Sequence, residues 1–340
     1  MGIGLRLAFG GLALALATPA SAQGVVNVYC SVQVEWCTLA ANEFQKATGI
    51  KVSMTQKGSG ETIAQLKAEA QNPKGDVWFG GTGDPHLQAA EEGLTDTYKS
   101  PRLADLHPWA VKQNTDSGGK TVGIYAGALG FGFNTELLAK KGAKAPACWA
   151  DLLKPEFKGE IQMANPNSSG TAYTALATFV QMMGEEKAFE FLKALHANIN
   201  QYTKSGSAPI KAAAQGETVV GIVFQHDAVT MKVSGAPIEV VSPCEGTGYE
   251  IGSMSIIAGA RNMEMAKKFY DFALRADIQS MAKDAKAYQV PSNKGATPPP
   301  ESPDFASIKL IDYDFKKYGS ADERTRLLKR WEDEVNSLPR

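Results

Sequence analysis

The chain has 340 residues, with 35 Lys and Arg against 36 Asp and Glu and a formal net charge of −1. That balance argues against nucleic acid as a partner, because phosphate backbones are held by a basic excess. The length exceeds what one hydrophobic core ordinarily organises, so two lobes are expected.

The N-terminus carries one basic residue, Arg6, then an apolar run over 7–17 and the small-residue end Ala20-Ser21-Ala22. This pattern predicts a secretory signal peptide over residues 1–22. The run is shorter than the roughly 20 residues that span a bilayer. Cleavage after Ala22 would leave 340 − 22 = 318 residues with a charge of −2, since only Arg6 is lost. No later segment is apolar enough to cross a membrane.

Beyond the signal, the pattern alternates strand and helix. Strands are expected over 25–29, 50–54 and 76–79, and helices over 40–48, 61–70 and 85–92. Gly49 and Gly93 are helix stops. Such alternation predicts a parallel sheet with helices on its faces. A Gly-rich apolar stretch follows over 122–134, suited to crossing between lobes. Helices are then expected over 171–183, 185–197 and 208–215. The apolar run Val219-Val-Gly-Ile-Val-Phe224 reads as a buried strand. Later strands are expected over 238–242 and 253–257, helices over 263–275 and 278–286, and a loop over 295–300. An amphipathic helix over 322–338 would dock through Leu327, Leu328, Trp331 and Val335.

Ligands of open α/β sheets sit at the carboxyl ends of strands, where helix N-termini point into the crevice. Three loops there consist of small residues: Gly58-Ser59-Gly60-Glu61-Thr62, Gly80-Gly81-Thr82-Gly83-Asp84 and Asn165-Pro-Asn167-Ser168-Ser169-Gly170-Thr171. Each offers free backbone N–H groups and hydroxyls, a combination that suits an anion, phosphate above all. Taken singly, each is also an ordinary helix cap. None matches a nucleotide fingerprint. Gly58-x-Gly60-x-x-Ile63 lacks the third glycine, and before Gly119-Lys120-Thr121 the first P-loop glycine is replaced by Asn114. His226 and Asp227 follow the buried strand; read as an extended strand end, they point in opposite directions. As donor and acceptor they suit sugar hydroxyls or a phosphate edge, and Glu250 could accept two hydroxyls at once. His86, His107 and His196 read as surface or capping residues. There is no Gly-x-Ser-x-Gly elbow and no His-Glu-x-x-His helix, so an enzyme, including an exported sugar-phosphate hydrolase, is not expected.

The four cysteines, Cys30, Cys37, Cys148 and Cys244, allow three connectivities. Proximity in sequence favours Cys30 with Cys37, leaving Cys148 for Cys244, against free buried thiols. No paired C-x2-C units support zinc.

Val28-Tyr29-Cys30-Ser31, Thr48-Gly49-Ile50-Lys51-Val52, Gly58-Ser59-Gly60-Glu61, Asp76-Val77-Trp78, Trp149-Ala-Asp-Leu-Leu153 and Val290-Pro291 together resemble the ferric-ion-binding-like group of periplasmic solute-binding proteins. The resemblance covers nearly the whole mature chain. It implies a type II fold: two lobes, each a mixed, mainly parallel sheet flanked by helices, joined by two crossing strands. Residues 23–125 with 256–340 would form the first lobe and 126–255 the second, with the C-terminal helices packing across both. Hinges are expected through 127–132 and 253–257. The implied partners are a small anionic ligand and the permease of an ABC importer in the inner membrane, with the protein a monomer and no cofactor.

True ferric binders of that group carry two adjacent tyrosines where this chain has His226 and Asp227. An iron site would have to draw on Tyr29, Tyr125, Tyr173 or Tyr249. The run Pro243-Cys244-Glu245-Gly246-Thr247-Gly248-Tyr249-Glu250-Ile251-Gly252 instead resembles the hexose-phosphate-binding branch. By that resemblance His226, Asp227 and Glu250 hold sugar hydroxyls. Ser31, Ser59, Gly60, Thr82, Ser168, Ser169 and Thr171 form the pool for phosphate contacts. Phosphonate binders share such loops, so a phosphonate or other organophosphate is the remaining alternative.

Overall fold

The computed structural model describes residues 1–2 and 24–339. The expected signal peptide therefore lies, apart from Met1 and Gly2, outside the described residues. No helix among the described residues is long and apolar enough to cross a membrane.

The strands are β1 (Val25–Cys30), β2 (Lys51–Gln56), β3 (Val77–Phe79), β4 (Thr95–Asp96), β5 (Val122–Asn134), β6 (Ile161–Ala164), β7 (Ile199–Thr203), β8 (Val220–Phe224), β9 (Ile238–Val241), β10 (Tyr249–Ile257) and β11 (Val290–Pro291). They order as β2-β1-β3-β10-β5-β8-β6-β7. In the first lobe β1 pairs in parallel with β2 and β3, and β10 runs antiparallel to β3. In the second, β6 pairs in parallel with β7 and β8. Helices connect the parallel strands, as such crossovers require.

β5 joins the lobes. Its first half pairs with β10, while Leu129 to Phe133 pairs with β8. Val122, Ile124 and Tyr125 lie in a core with Val28, Phe44 and Phe269. Leu129, Phe131 and Phe133 lie in another with Trp149, Phe179 and Phe189. Every residue of β5 is buried, which accounts for its near-continuous apolar sequence. Tyr313, Tyr318, Leu327, Trp331 and Val335 pack in the second of these cores, although they come from the end of the chain. The bridges are Cys30–Cys37, which ties the end of β1 to helix Val34–Thr48, and Cys148–Cys244.

Several expectations are corrected. The first helix starts at Val34, six residues earlier than its sequence suggests, because Trp36 and Cys37 pack inward although Gln33 makes no side-chain cap. The expected helix 278–286 is Ala276–Ser280 followed by a 3₁₀ turn, Met281–Ala285. The tail helix ends at Trp331 and continues as a π-helical turn, Glu332–Asn336. His226 and Asp227 are not an extended strand end. Phe224 caps helix Gln225–Val233 and both residues sit in its first turn, where an acidic side chain suits the helix dipole. His86 and His196 are buried rather than surface residues. His86 stacks on Trp78 at 3.6 Å and bonds Ser255 Oγ and the Gly80 carbonyl, and burial pushes its pKa down to about 3.

Candidate functional site

A cavity of about 290 Å³ lies between the lobes. Six helices begin on its wall: Val34–Thr48, Ser59–Glu69, Gly83–Glu91, Gly170–Met183, Ala208–Gln215 and Gln225–Val233. Their capping residues, Gln33, Gly58, Thr82, Ser169, Ser207 and Phe224, all line it. A helix N-terminus carries roughly half a positive charge and unpaired N–H groups. Six such ends on one wall favour negative charge in the space before any basic side chain is counted. Lys57 and Lys211 add two cations to the lining.

The expected phosphate loops are brought together, though not every residue faces the space. Ser31, Ser59, Thr82, Ser169 and Thr171 line it. Gly60 and Ser168 do not. They meet each other across the lobes, Gly60 N donating to the Ser168 carbonyl at 3.1 Å. Only glycine permits this approach, since a Cβ there would lie 2.2 Å from the Asn167 carbonyl oxygen. Within the wall, Thr82 N donates to Ser59 Oγ at 3.3 Å, and Trp78 Nε1 donates to Ser31 Oγ at 2.9 Å. Thr82 Oγ1 is buried without a partner among the described residues.

His226, Asp227 and Glu250 gather where β5 and β10 cross. His226 Nε2 lies 3.8 Å from Asp227 Oδ2 and 3.9 Å from Glu250 Oε1. Burial lowers the His226 pKa against the opposing pull of Asp227, so the ring is neutral at pH 7. Burial, then Asp227 and Asp84, hold the Glu250 carboxyl well above the usual range. A protonated carboxyl both donates and accepts, and a neutral imidazole does the same. Two buried carboxylates are thereby spared direct repulsion. Gly127 on β5 makes room for the trio: a Cβ there would lie 2.6 Å from His226 Nδ1 and 3.1 Å from Glu250 Oε1.

Of the four tyrosines considered for iron, Tyr125 lines the cavity. Its hydroxyl accepts from Gly81 N at 3.0 Å, and burial raises its pKa well above 10. Tyr29 donates to Glu69 and Tyr173 to the Tyr318 carbonyl.

Sequence reasoning missed several wall residues. The Ser205-Gly206-Ser207 loop after β7 and Lys211 line the cavity, and the strand-end rule that found the other loops would have found them. Gln33, at the end of β1, carries the same signal. Gln289 carries none, because it precedes a two-residue strand. Asp84 is buried behind Thr82 and its pKa is pushed up to about 7 by burial, opposed by Arg324. Tyr313 donates weakly to it at 3.4 Å. Arg324 donates to Gln88 at 2.9 Å and lies 4.8 Å from the Tyr173 ring centre, so a C-terminal helix seated in the second lobe grips a helix of the first.

Residues 75–317 match the family model for bacterial extracellular solute-binding proteins. The chain is 48% identical to an uncharacterized protein of Haemophilus influenzae over 95% of its own length and 94% of the relative's. The periplasmic binding protein AfuA from Actinobacillus pleuropneumoniae, solved with exogenous fructose-6-phosphate bound, superposes with a TM-score of 0.89 at 49% identity, covering 93% of this chain and 100% of that one. The periplasmic binding protein P5PA gives 0.89 at 44% identity, with coverage of 92% and 99%. The family and the two solved structures are of solute-binding proteins rather than enzymes. The chain belongs to the bacterial extracellular solute-binding protein family, as the periplasmic binding component of an ABC importer, and is not an enzyme.

Proposed function

We propose that the cavity captures a phosphorylated sugar, a hexose phosphate such as glucose 6-phosphate, and delivers it to the membrane permease. The observation that carries this reading is the division of the cavity into two chemistries. One end gathers the helix starts capped by Gly58, Thr82 and Ser169 and their small hydroxyls, suiting a phosphate dianion. The other presents His226, Asp227 and Glu250, suiting hydroxyls. The fructose-6-phosphate bound to AfuA, 49% identical, supports the same ligand class. Ser59, Thr82, Ser169 and Thr171 are the phosphate contacts of this reading.

The lobes divide at residues 125/126 and 255/256 in this proposal, with closure about β5 and β10. Closing excludes water, which strengthens each charge-assisted hydrogen bond to the anion. Ligand shifts the open–closed equilibrium by its preference for the closed form. The protein acts as a monomer, exported by its N-terminal signal segment.

A ferric carrier fits less well. Iron calls for phenolate oxygens, and Tyr125 is held protonated beside neutral Glu250 and His226. Calorimetric titration with glucose 6-phosphate, with glucose and inorganic phosphate as controls, tests the reading. Tight binding of the sugar phosphate with weak binding of both fragments is expected. Equal affinity for inorganic phosphate, or tighter binding of 2-aminoethylphosphonate or ferric citrate, would overturn it.

A further inference from the structure

Two glutamines tie the carboxylate end of the cavity to the first lobe. Gln33 caps helix Val34–Thr48, Gln289 directly precedes β11, and both line the cavity. Gln33 Nε2 donates to Asp227 Oδ1 at 2.7 Å, and Gln289 Nε2 donates to Gln33 Oε1 at 2.9 Å. The direction of this relay is dictated chemically. A carboxylate has no proton to give, so Gln33 must turn its NH2 group toward Asp227. Its carbonyl then accepts from the NH2 group of Gln289, and the Gln289 carbonyl is left over. Gln289 is 2% exposed, and its Oε1 has no partner among the described residues. A buried carbonyl without a partner is costly, and cavity contents are what remain to satisfy it.

We infer that Gln289 is a ligand-binding residue that accepts a hydrogen bond from a hydroxyl or amine of the cargo, and that Gln33 is a positioning residue that sets this polarity through Asp227. The inference rests on the proposal that the hydroxyl-bearing end of the ligand lies at Asp227 and Glu250. It narrows the ligand class, because a cargo presenting only a carbonyl or carboxylate to Gln289 finds two acceptors facing each other. Asp227 stands on the second lobe and both glutamines on the first, so the relay assembles only when the lobes are closed.

The test titrates wild type, Gln289→Leu and Gln33→Leu with glucose 6-phosphate and with its monodeoxy analogues. Gln289→Leu should weaken glucose 6-phosphate about tenfold, near the worth of one hydrogen bond. One deoxy analogue should show a similar loss in wild type and no further loss in Gln289→Leu. Gln33→Leu should erase discrimination against that same analogue, which mere loss of packing would not do. Melting curves establish folding, and Gln289→Met serves where Gln289→Leu does not fold. Wild type binding glucose 6-phosphate, with the glutamine variants keeping its affinity and the full deoxy profile, would overturn this inference alone. Wild type binding no hexose phosphate would overturn the proposed function and this inference with it.

Discussion

Replacing Gly127 with Ala should damage sugar-phosphate binding far more than its single methyl suggests. Gly127 is not among the glycines at positive φ, so alanine adopts its backbone without strain. The effect comes from space alone. The new Cβ would lie 2.6 Å from His226 Nδ1, 2.7 Å from its Cε1 and 3.1 Å from Glu250 Oε1, where ordinary contact begins at 3.4 Å. The imidazole must retreat by at least 3.4 − 2.6 = 0.8 Å. It is 3% exposed and packs on Phe224, so the retreat strains its helix. Overpacking of this kind costs about 1–3 kcal/mol of stability. A hydrogen bond displaced by most of an ångström is largely lost. Losing those of His226 and Glu250 to a ligand removes about 1–3 kcal/mol of binding, roughly a 5- to 150-fold weaker Kd. Calorimetry with glucose 6-phosphate, beside a thermal melt, reads both quantities. Wild-type affinity with an unchanged Tm would refute the placement of His226 and Glu250 against β5.

Further outcomes follow from the same geometry. Asp227→Ala and Glu250→Ala should each weaken hexose-phosphate binding by about 1–3 kcal/mol, and unchanged affinity in both would remove them from the ligand site. Asp84 rises from 3.8 to about 7 in the folded protein. A raised carboxyl pKa contributes stability below its unfolded value that is lost as pH rises through the folded one. The Tm of wild type relative to Asp84→Asn should therefore fall between pH 3.8 and about 7; a pH-independent difference would contradict the burial of that carboxyl. Cys148–Cys244 closes a 96-residue separation and Cys30–Cys37 one of 7. In the chain-entropy account, loops of about these lengths are worth roughly 4–5 and 2–3 kcal/mol. Replacing the first pair by serines should then lower denaturant stability more than replacing the second.

The alternation of strand and helix was legible because each apolar period is local, set by which face of an element meets a core. The small-residue loops were legible for the same reason: Ser and Gly at a strand end announce a helix N-terminus whatever packs around it. The chemistry of His226, Asp227 and Glu250 could also be read, since two carboxyls and an imidazole can serve hydroxyls wherever they meet. Their meeting could not. Glu250 comes from β10 and His226 from a helix after β8, and it is their shared neighbour β5 that brings them within 3.9 Å. The helical conformation of His226 and Asp227 escaped local reading because a buried strand and a buried helix start share the same apolar lead-in. Gln33 and Gln289 lie 256 residues apart, and only the folded chain sets them end to end against Asp227. Sequence by itself thus determined the elements and the kind of chemistry available. Tertiary structure decided which groups share the cavity, which way each hydrogen bond runs and which protons burial retains, because burial and distance exist only once the chain has closed on itself.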